Sequence, residues 1–344
     1  MFGQQKRRIG IGLVWVSLWA GAGMVSPAAG QDVKPFLGRW ALYLPGGAGW
    51  LEVRQETGYL DADILWYGGS VVPVDSVMVI DDTLIATRNR PVVRKKDAEG
   101  KPIRTQTMTT WIELSGYGDE LTGRENSPHG NGVGVTVREF TAKRIPALPA
   151  RPNLSKVKYG QPIKLFNGKD LTGWAPTNPN QKVGFKVVDG ALVNDPVQPK
   201  SGRHIRYGNL KTTRRFEDFK LTLQVNVPKG SNSGVYLRGI YEVQISDSYG
   251  RGVDSHNMGA IYSRLTPKVS AEKPAGQWQD MEMILCDRHV TVVLNGKTII
   301  DNEPLLGVTG GALTADEFSP GPIYLQGDHG KISYRHMVLT PIIK

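Results

Sequence analysis

Two short alternating segments, joined by Gly239-Ile240, carry side chains that could take part in acid–base chemistry. Successive side chains of a strand point to opposite faces, so Tyr236 and Arg238 should share a face of the first segment. By the same rule, Glu242 and Gln244 should share a face of the second. A base, a cation and amide groups on one sheet surface would suit proton transfer and hydrogen bonding to hydroxyl groups.

Further polar residues flank this strand pair. Asn232-Ser233-Gly234 precedes the first strand, and Asp247 follows the second where the chain enters a loop. The simpler interpretation is that these side chains form the solvated face of an antiparallel sheet. Their size and their mixture of donors and acceptors favour a binding surface.

Two histidine segments are further candidates. The first, Gln326-Gly327-Asp328-His329-Gly330, lies between two predicted strands, where His329 could be a general base or a metal ligand. A turn shaped by its glycines and Asp328 explains the same residues. The second, Asp254-Ser255-His256, lies in a glycine-rich loop where a histidine is more often merely solvated.

The absence of several well-known sequence motifs excludes several classes of enzyme. The sequence contains no His-Glu-x-x-His, P-loop, Gly-x-Ser-x-Gly or Gly-x-Gly-x-x-Gly element, so the common metalloprotease, nucleotide-binding and serine-hydrolase classes are excluded. A single cysteine, Cys286, excludes an intrachain disulfide and a cysteine-rich zinc cluster. The net charge of +10 comes from scattered residues, and no basic helix or zinc-finger spacing predicts nucleic-acid binding.

The second half of the chain should be a two-sheet jelly roll. Apolar residues alternate with polar ones from Phe219 to Val227, which predicts a half-buried strand. Asn295-Gly296 between two apolar runs is a strong hairpin signal. Cys286 falls in the strand predicted over 281–286, where we expect a buried, inert thiol. About ten short strands in this half suit a jelly-roll β-sandwich.

The first half should be a separate all-β domain. Six strand candidates occur at 50–55, 59–66, 76–80, 83–89, 104–114 and 132–144. They predict a small antiparallel β-barrel or sandwich. Its expected role is that of a binding or positioning module for the second domain. Three prolines within 145–153 mark a stiff linker. The predicted boundaries are 34–145 for the first domain, 146–157 for the linker and 158–344 for the second domain.

Residues 1–30 have the layout of a secretory signal peptide. Basic residues 6–8 precede an uncharged apolar stretch over 9–22, and small residues lead up to Gly30. The stretch is short for a membrane span, so stable membrane insertion is not expected. Cleavage near Gly30 would release a secreted or periplasmic protein. Nothing in the sequence specifies its oligomeric state.

Seven motifs in the second half occur in one order and resemble the 3-keto-disaccharide hydrolase family. They are LFNGKDLTGW (165–174), NSGVYLRG (232–239), YEVQI (241–245), GAIY (259–262), PAGQW (274–278), LNGK (294–297) and LQGDHG (325–330). The resemblance covers about 161–341 and leaves the first domain uncovered. The chain departs mildly at Tyr334-Arg335-His336-Met337, where the family more often has Phe-Arg-Asn-Ile.

The resemblance implies a concanavalin A-like jelly roll that cleaves glycosides oxidised to a ketone at C3. Such a ketone acidifies the C2 proton, so a base can form an enolate, after which the C1 substituent leaves and water adds. This route avoids the paired carboxylates that ordinary glycosidases use for an oxocarbenium-like transition state. It needs a base and a group that stabilises the enolate oxygen.

The roles expected on this basis leave alternatives open. Glu242 or His329 would be the base, and Arg238 would hold the developing oxyanion. The sugar would be oriented by polar side chains of the same surface, namely Asn232, Tyr236, Gln244 and Gln326. No cofactor is certain, but Asp247 with His329 could hold a divalent metal that polarises the ketone.

Two other functions fit the same surface. A non-catalytic, lectin-like module would present a shallow groove lined by aromatic side chains, on the same fold. A conventional glycoside hydrolase would more often show Glu-x-Asp-x-x-Glu on one strand, which residues 242–247 do not reproduce.

Overall fold

The computed structural model describes residues 32–343, and those residues are almost entirely β-structure. A single turn of 3-10 helix, Lys34–Phe36, precedes the first strand. The first sheet has nine strands: β1 Gly38–Leu44, β2 Gly47–Gln55, β3 Leu60–Trp66, β4 Val72–Pro73, β5 Ser76–Ile80, β6 Thr83–Lys96, β7 Pro102–Ser115, β8 Glu120–Pro128 and β9 Val135–Arg144.

The first sheet is antiparallel throughout and curls on itself. Its strand order is β4-β3-β2-β1-β9-β8-β7-β6-β5, and β3 also contacts β5. One face of each strand is buried inside the curl, as the period-2 pattern predicts: Met108, Ile112 and Leu114 of β7 are all buried. The predicted small antiparallel β-barrel or sandwich is confirmed. Strands β1 and β8 were not among the strands that we expected from the sequence.

The second half contains sixteen shorter strands. They are β10 Lys158–Tyr159, β11 Ile163–Lys164, β12 Trp174–Pro176, β13 Lys182–Val183, β14 Phe185–Val188, β15 Ala191–Asn194, β16 Tyr207–Gly208, β17 Leu210–Thr212, β18 Phe219–Asn226, β19 Asn232–Leu237, β20 Tyr241–Ser246, β21 Trp278–Cys286, β22 His289–Leu294, β23 Lys297–Pro304, β24 Tyr324–Leu325 and β25 Ile332–Ile343.

Two antiparallel sheets form most of this half, and β13 pairs with β16 in a separate two-stranded parallel sheet. The larger runs β14-β15-β25-β18-β21-β22-β23, with β10 and β11 paired to β25, and the smaller runs β12-β17-β24-β19-β20. Their facing side chains form one apolar core. Strand β18 alternates buried and partly exposed residues along its whole length, because only one face contacts that core. The predicted all-β class with a jelly-roll sandwich is confirmed.

Two local predictions for this half are also confirmed. Asn295 and Gly296 both have positive φ angles, 50° and 79°, and join β22 to β23, as a type I′ hairpin turn requires. Cys286 is buried at the end of β21.

The predicted linker contains no strand, but it is hydrogen-bonded to the second half. Arg288 donates to the carbonyl oxygens of Pro146 and Ala147, and Asn302 donates to that of Pro152. The domain boundaries stay predictions. The predicted signal peptide lies outside the described residues, and within 32–343 no helix has the length and apolar character needed to cross a membrane.

Turns of the first sheet pack against loops of the second half. Trp50 Nε1 donates to the carbonyl oxygen of Leu306 at 2.8 Å, and the guanidinium of Arg264 lies 4.2 Å from the centre of the Trp50 ring. The Gly311 amide donates to the carbonyl oxygen of Tyr67 at 3.0 Å. These contacts hold the first domain against one rim of the five-stranded sheet.

Candidate active site

The five-stranded sheet forms the floor of a cavity of about 610 Å³. Its lining includes side chains of β19, β20 and β24, the loop over 310–313 and the segment Asp328-His329. The first domain supplies part of the wall through Gly46, Gly47 and 67–69. The cavity is therefore built from both halves of the chain.

Glu242 lies at the bottom of this cavity and is 4% exposed. It stands on β20 directly opposite Tyr236 of β19 in the antiparallel register. Gly234 makes room for it: a Cβ atom there would lie 2.3 Å from Glu242 Oε1. Burial raises the pKa of Glu242 to about 8, against the opposing effects of the Tyr236 hydrogen bond and the His329 charge. A carboxyl of this kind is a stronger base than an ordinary glutamate.

The Tyr236 hydroxyl lies within hydrogen-bonding distance of two acceptors, one of which is Glu242. Tyr236 Oη lies 2.8 Å from Glu242 Oε2 and 2.7 Å from the carbonyl oxygen of Gly310. A phenol has only one proton to donate. When Glu242 is protonated, it can donate to Tyr236 Oη while Tyr236 donates to Gly310. When Glu242 is ionised, Tyr236 must donate to it instead, and Gly310 loses that donor. Both pairs are satisfied together only in the neutral form.

The Gly310 peptide also contacts the first domain. A Cβ atom on Gly310 would lie 2.2 Å from the carbonyl oxygen of Gly69. Gly311 has no room for a side chain either, because a Cβ atom there would lie 2.7 Å from Tyr236 Oη. The 67–69 turn therefore fixes the position of the Gly310 carbonyl oxygen, which competes with Glu242 for the Tyr236 hydroxyl proton.

His329 and Asp328 form a hydrogen-bonded pair at the cavity wall. His329 Nδ1 lies 2.7 Å from Asp328 Oδ1. This hydrogen bond raises the pKa of His329 despite partial burial. Burial, the largest effect, pushes the pKa of Asp328 upward, but the hydrogen bond and charge of His329, a backbone hydrogen bond and the charge of Arg206 together lower it. The pair favours an imidazolium, which can donate a proton.

Amide side chains complete the polar lining. Asn232, Gln244 and Gln326 all line the cavity, and Gln244 Nε2 donates to Asn232 Oδ1 at 3.3 Å. The Oε1 atoms of Gln244 and Gln326 are buried without a hydrogen-bond partner, which costs about 1–3 kcal/mol for each oxygen. The amide groups of these three side chains bring both donors and acceptors to the lining, which suits binding of hydroxyl groups.

Two lining residues were not found from the sequence. Tyr324 stacks on Tyr236, with ring centres 4.2 Å apart, and its hydroxyl accepts a hydrogen bond from Asn209 Nδ2 at 2.8 Å. Asn209 Oδ1 in turn accepts from the Gly327 amide, which anchors the segment before Asp328. The stretch over 324–325 forms only a two-residue strand, so no alternation in the sequence showed which way Tyr324 faces.

The structure does not place Arg238 with the other predicted site residues. Strand β19 ends at Leu237, and Arg238 and Gly239 form a turn with positive φ angles of 54° and 69°, so strand alternation does not extend to Arg238. Its guanidinium is buried elsewhere and donates to the carbonyl oxygens of Glu317 and Ser319.

Asp247 and His256 also lie outside the lining of this cavity. Asp247 Oδ2 accepts a hydrogen bond from the Gly230 amide and shapes a loop, and Asp247 does not share a cavity with His329. His256 Nε2 contacts Ser70 Oγ at 3.0 Å, where the two domains meet.

The donor set at the cavity does not resemble a metal site. Among residues 32–343, the one group of three candidate ligand atoms lying within 4.8 Å of one another comprises Asp218, Cys286 and Asp287. None of these three lines the cavity. The predicted metal pair, Asp247 and His329, is not brought together.

The comparisons with known proteins decide the family. Residues 161–340 match the family described as the 3-keto-alpha-glucoside-1,2-lyase-like domain, which is just over half of the chain. The chain belongs to this family. The lyase-like domain includes every strand of the five-stranded sheet and all of the predicted site residues. The first domain lies outside the match. No curated protein matches the chain.

Several solved structures are similar to the lyase-like domain. A candidate glycosyl hydrolase from Parabacteroides distasonis is 27% identical, covers 56% of this chain and 92% of its own, and has a TM-score of 0.43. A second from the same organism is 20% identical over 53% and 94%, with a TM-score of 0.44. The carbohydrate-binding module CBM66 from Bacillus subtilis is 12% identical over 48% and 93%, with a TM-score of 0.30.

Proposed function

We propose that the lyase-like domain cleaves glycosides that carry a ketone at C3, by removing the C2 proton and expelling the C1 substituent. Family membership makes carbohydrates its substrate class. The observation that carries the proposal is the buried Glu242 carboxyl at the bottom of the cavity, with a pKa raised to about 8 by burial. A base removes a carbon-bound proton best when its pKa lies near the working pH or above it.

Glu242 is the base in this mechanism. Its ionised carboxylate takes the C2 proton, and the electron pair of that C–H bond forms the enolate of the C3 ketone. Tyr236 donates its hydroxyl proton to Glu242 Oε2 in the ionised state and thereby orients the other oxygen, Oε1, which lies beside Gly234. Pre-orientation of this kind lowers the entropic part of the barrier.

His329 is the general acid for the leaving group. The enolate electron pair re-forms a C=O bond at C3 and a C1=C2 bond, and the C1–O bond breaks. The leaving oxygen takes a proton from His329, whose imidazolium is stabilised by Asp328 Oδ1. The products are an alcohol and a 1,2-unsaturated 3-keto sugar. Addition of water across the new double bond would give the free 3-keto sugar.

The enolate oxygen needs hydrogen-bond donors, and Arg238 does not line the cavity to supply one. The lining offers the amide groups of Asn232, Gln244 and Gln326, and also the guanidinium of Arg206, as donors. Amide donors fixed in a partly closed cavity stabilise a developing oxyanion without reorganising when it forms. Each step of this mechanism is assigned to side chains of the chain itself.

A conventional glycoside hydrolase is the second candidate, because the same cavity holds two carboxyl groups with opposite pKa shifts. Glu242 has the raised pKa of a general acid, and Asp328 has the lowered pKa of an ionised partner. Against this, Asp328 Oδ1 is already bonded to His329, and Glu242 lies at the bottom of the cavity. A lectin-like role is less well supported, since a sugar-binding groove needs no buried carboxyl with a pKa near 8.

The deciding experiment offers purified protein a 3-keto-glucoside and its unoxidised parent, each with and without a chelator. We expect release of the aglycone from the oxidised compound alone, and loss of that release in Glu242→Gln. Cleavage of the unoxidised parent would establish the conventional hydrolase instead. Inhibition by the chelator, reversed by added metal, would contradict the metal-free mechanism. Glu282→Gln is the matched control, because it makes the same exchange on β21 of the other sheet, outside the cavity.

We also propose that the protein acts outside the cytoplasm after removal of residues 1–30. The support is the arrangement of basic, apolar and small residues in that segment. Mass spectrometry of the protein from its native cell envelope tests this: a mature N-terminus near Gln31 is expected, and an intact Met1 would contradict it.

A further inference from the structure

A second cavity continues from the His329 side of the active site. It has a volume of about 590 Å³ and shares Arg206, Asn232, Asp328 and His329 with the first cavity. Its remaining lining consists of Arg203, His204 and two glycines, Gly230 and Gly330. No residue of the first domain lines it, so it leads away from the wall that the 67–69 turn forms. We call this second cavity the basic groove.

The basic groove has an excess of positive charge. Its cationic residues are Arg203 and Arg206, and the one carboxylate in its lining, Asp328, is hydrogen-bonded to His329. Neither arginine forms a hydrogen bond or ion pair with a residue in the range 32–343. By contrast, Arg144 and Arg54, in the first domain, are held by carboxylates. The Arg206 charge lowers the pKa of Asp328, whereas the Arg203 guanidinium has no carboxylate partner in the described part of the chain and can attract an anion into the groove.

The proposed mechanism fixes what occupies this groove. C1 is bonded to C2, so the leaving oxygen must lie next to the carbon that faces Glu242. His329 protonates that oxygen, and the basic groove begins at His329. The group attached to the leaving oxygen therefore extends into the groove, away from the sugar.

We propose that the basic groove is the binding site for the aglycone, and that it selects aglycones bearing an anionic group such as a carboxylate or a sulfate. Arg203 is the residue that reads this charge, because it lines the groove alone and not the sugar cavity. This inference rests on the proposed function for the placement of the leaving group.

The test compares two 3-keto-glucosides of nearly equal size whose aglycones differ in charge, those of 4-hydroxybenzoate and of its neutral amide, 4-hydroxybenzamide; the amide is the slightly better leaving group, so leaving-group acidity does not favour the anionic substrate. We expect kcat/KM to be about fivefold to tenfold higher for the anionic substrate, the size of one charge-assisted hydrogen bond at a partly exposed site. Arg203→Gln should remove this preference, because kcat/KM for the anionic substrate should fall about fivefold to tenfold relative to that for the amide. Salt at about 0.5 M should weaken the preference in the unmodified protein, because it screens exposed charges.

A matched control variant and a binding measurement distinguish aglycone binding in the basic groove from cleavage of the glycoside. Lys297→Gln removes the same charge from the hairpin of the other sheet and should leave the preference unchanged. Free 4-hydroxybenzoate should bind more tightly than 4-hydroxybenzamide by ligand-observed NMR, and Arg203→Gln should abolish the difference. Equal binding and equal rates for both compounds would overturn the basic groove even if the oxidised sugars are cleaved. Arg203-dependent binding with no cleavage of either substrate would support the groove and overturn the proposed function.

Discussion

Replacement of Tyr236 by Phe should move the pH dependence of catalysis toward higher pH. In the proposed mechanism Glu242 must be ionised and His329 protonated, so kcat/KM should rise on the acidic limb with a midpoint near the Glu242 pKa of about 8 and fall at higher pH where His329 loses its proton. The Tyr236 hydroxyl lowers that pKa by donating to Glu242 Oε2 at 2.8 Å. Removing the hydroxyl leaves the carboxylate as buried as before but without this donor.

The expected size follows from the energy of the lost hydrogen bond. A hydrogen bond to a charged group contributes about 1.5–3 kcal/mol, and one pKa unit corresponds to about 1.4 kcal/mol. Because the neutral carboxyl also bonds this hydroxyl, these values set an upper limit, and the Tyr236→Phe midpoint should lie above that of the unmodified enzyme by up to about one to two units. At pH 7, where about a tenth of Glu242 is ionised at the start, the ionised fraction and the rate should fall by up to about 10- to 100-fold. Part of the loss should be recovered at higher pH while His329 keeps its proton.

The assay is the pH profile of kcat/KM with a 3-keto-glucoside, with and without deuterium at C2. A primary isotope effect shows that proton removal limits the rate, so that the midpoint reports the base. Tyr324→Phe is the control, since its hydroxyl bonds Asn209 rather than Glu242, and its midpoint should move far less. A Tyr236→Phe midpoint equal to or below that of the unmodified enzyme would refute the assignment of Glu242 as the base.

Three further predictions concern the same site. Glu242→Gln should stabilise the folded protein at alkaline pH. The pKa of this carboxyl is higher in the folded than in the unfolded state, so the free energy of unfolding falls as pH rises from about 4.5 to 8. In urea unfolding the variant should be more stable at pH 9 by up to on the order of 5 kcal/mol, with no such gain near pH 4. Gly234→Ala should reduce kcat at least about tenfold with the fold intact by circular dichroism, since its Cβ would meet Glu242 Oε1; unchanged kcat would contradict the tight fit. Gly310→Ala should lower activity, because its Cβ would meet the Gly69 carbonyl oxygen. Gly68→Ala is the control and should leave activity nearly unchanged, because the space around its Cβ is open. Equal effects of the two substitutions would argue against a role for the interdomain contact.

The contribution of the first domain is a feature that sequence patterns did not reveal. The strand pattern indicated a separate β-barrel or sandwich, and its role was expected only in general terms. The structure places its 67–69 turn in the cavity wall and against Gly310. Glycines in turns have no sequence signal for a partner about 240 residues away, because that contact depends on how two folded domains pack.

The sequence by itself determined the local structure of the site. Period-2 alternation placed Glu242 and Gln244 on the cavity side of one strand, the motif order identified the family, and Asn295-Gly296 specified a hairpin. These features depend on short-range geometry, which neighbouring residues encode directly. Alternation failed at Arg238 because the strand ended one residue earlier than the pattern implied, and a turn with positive φ turned that side chain toward Glu317.

Only the tertiary structure decided the chemistry of these groups. The raised pKa of Glu242 comes from burial under Tyr236, the 310–313 loop and the first domain, which no local pattern describes. Likewise, Asp328 and His329 are neighbours in any conformation, but their place beside Glu242 depends on β24 pairing with β19. Desolvation and long-range contacts set proton affinity, and both arise only when distant segments of the chain pack together.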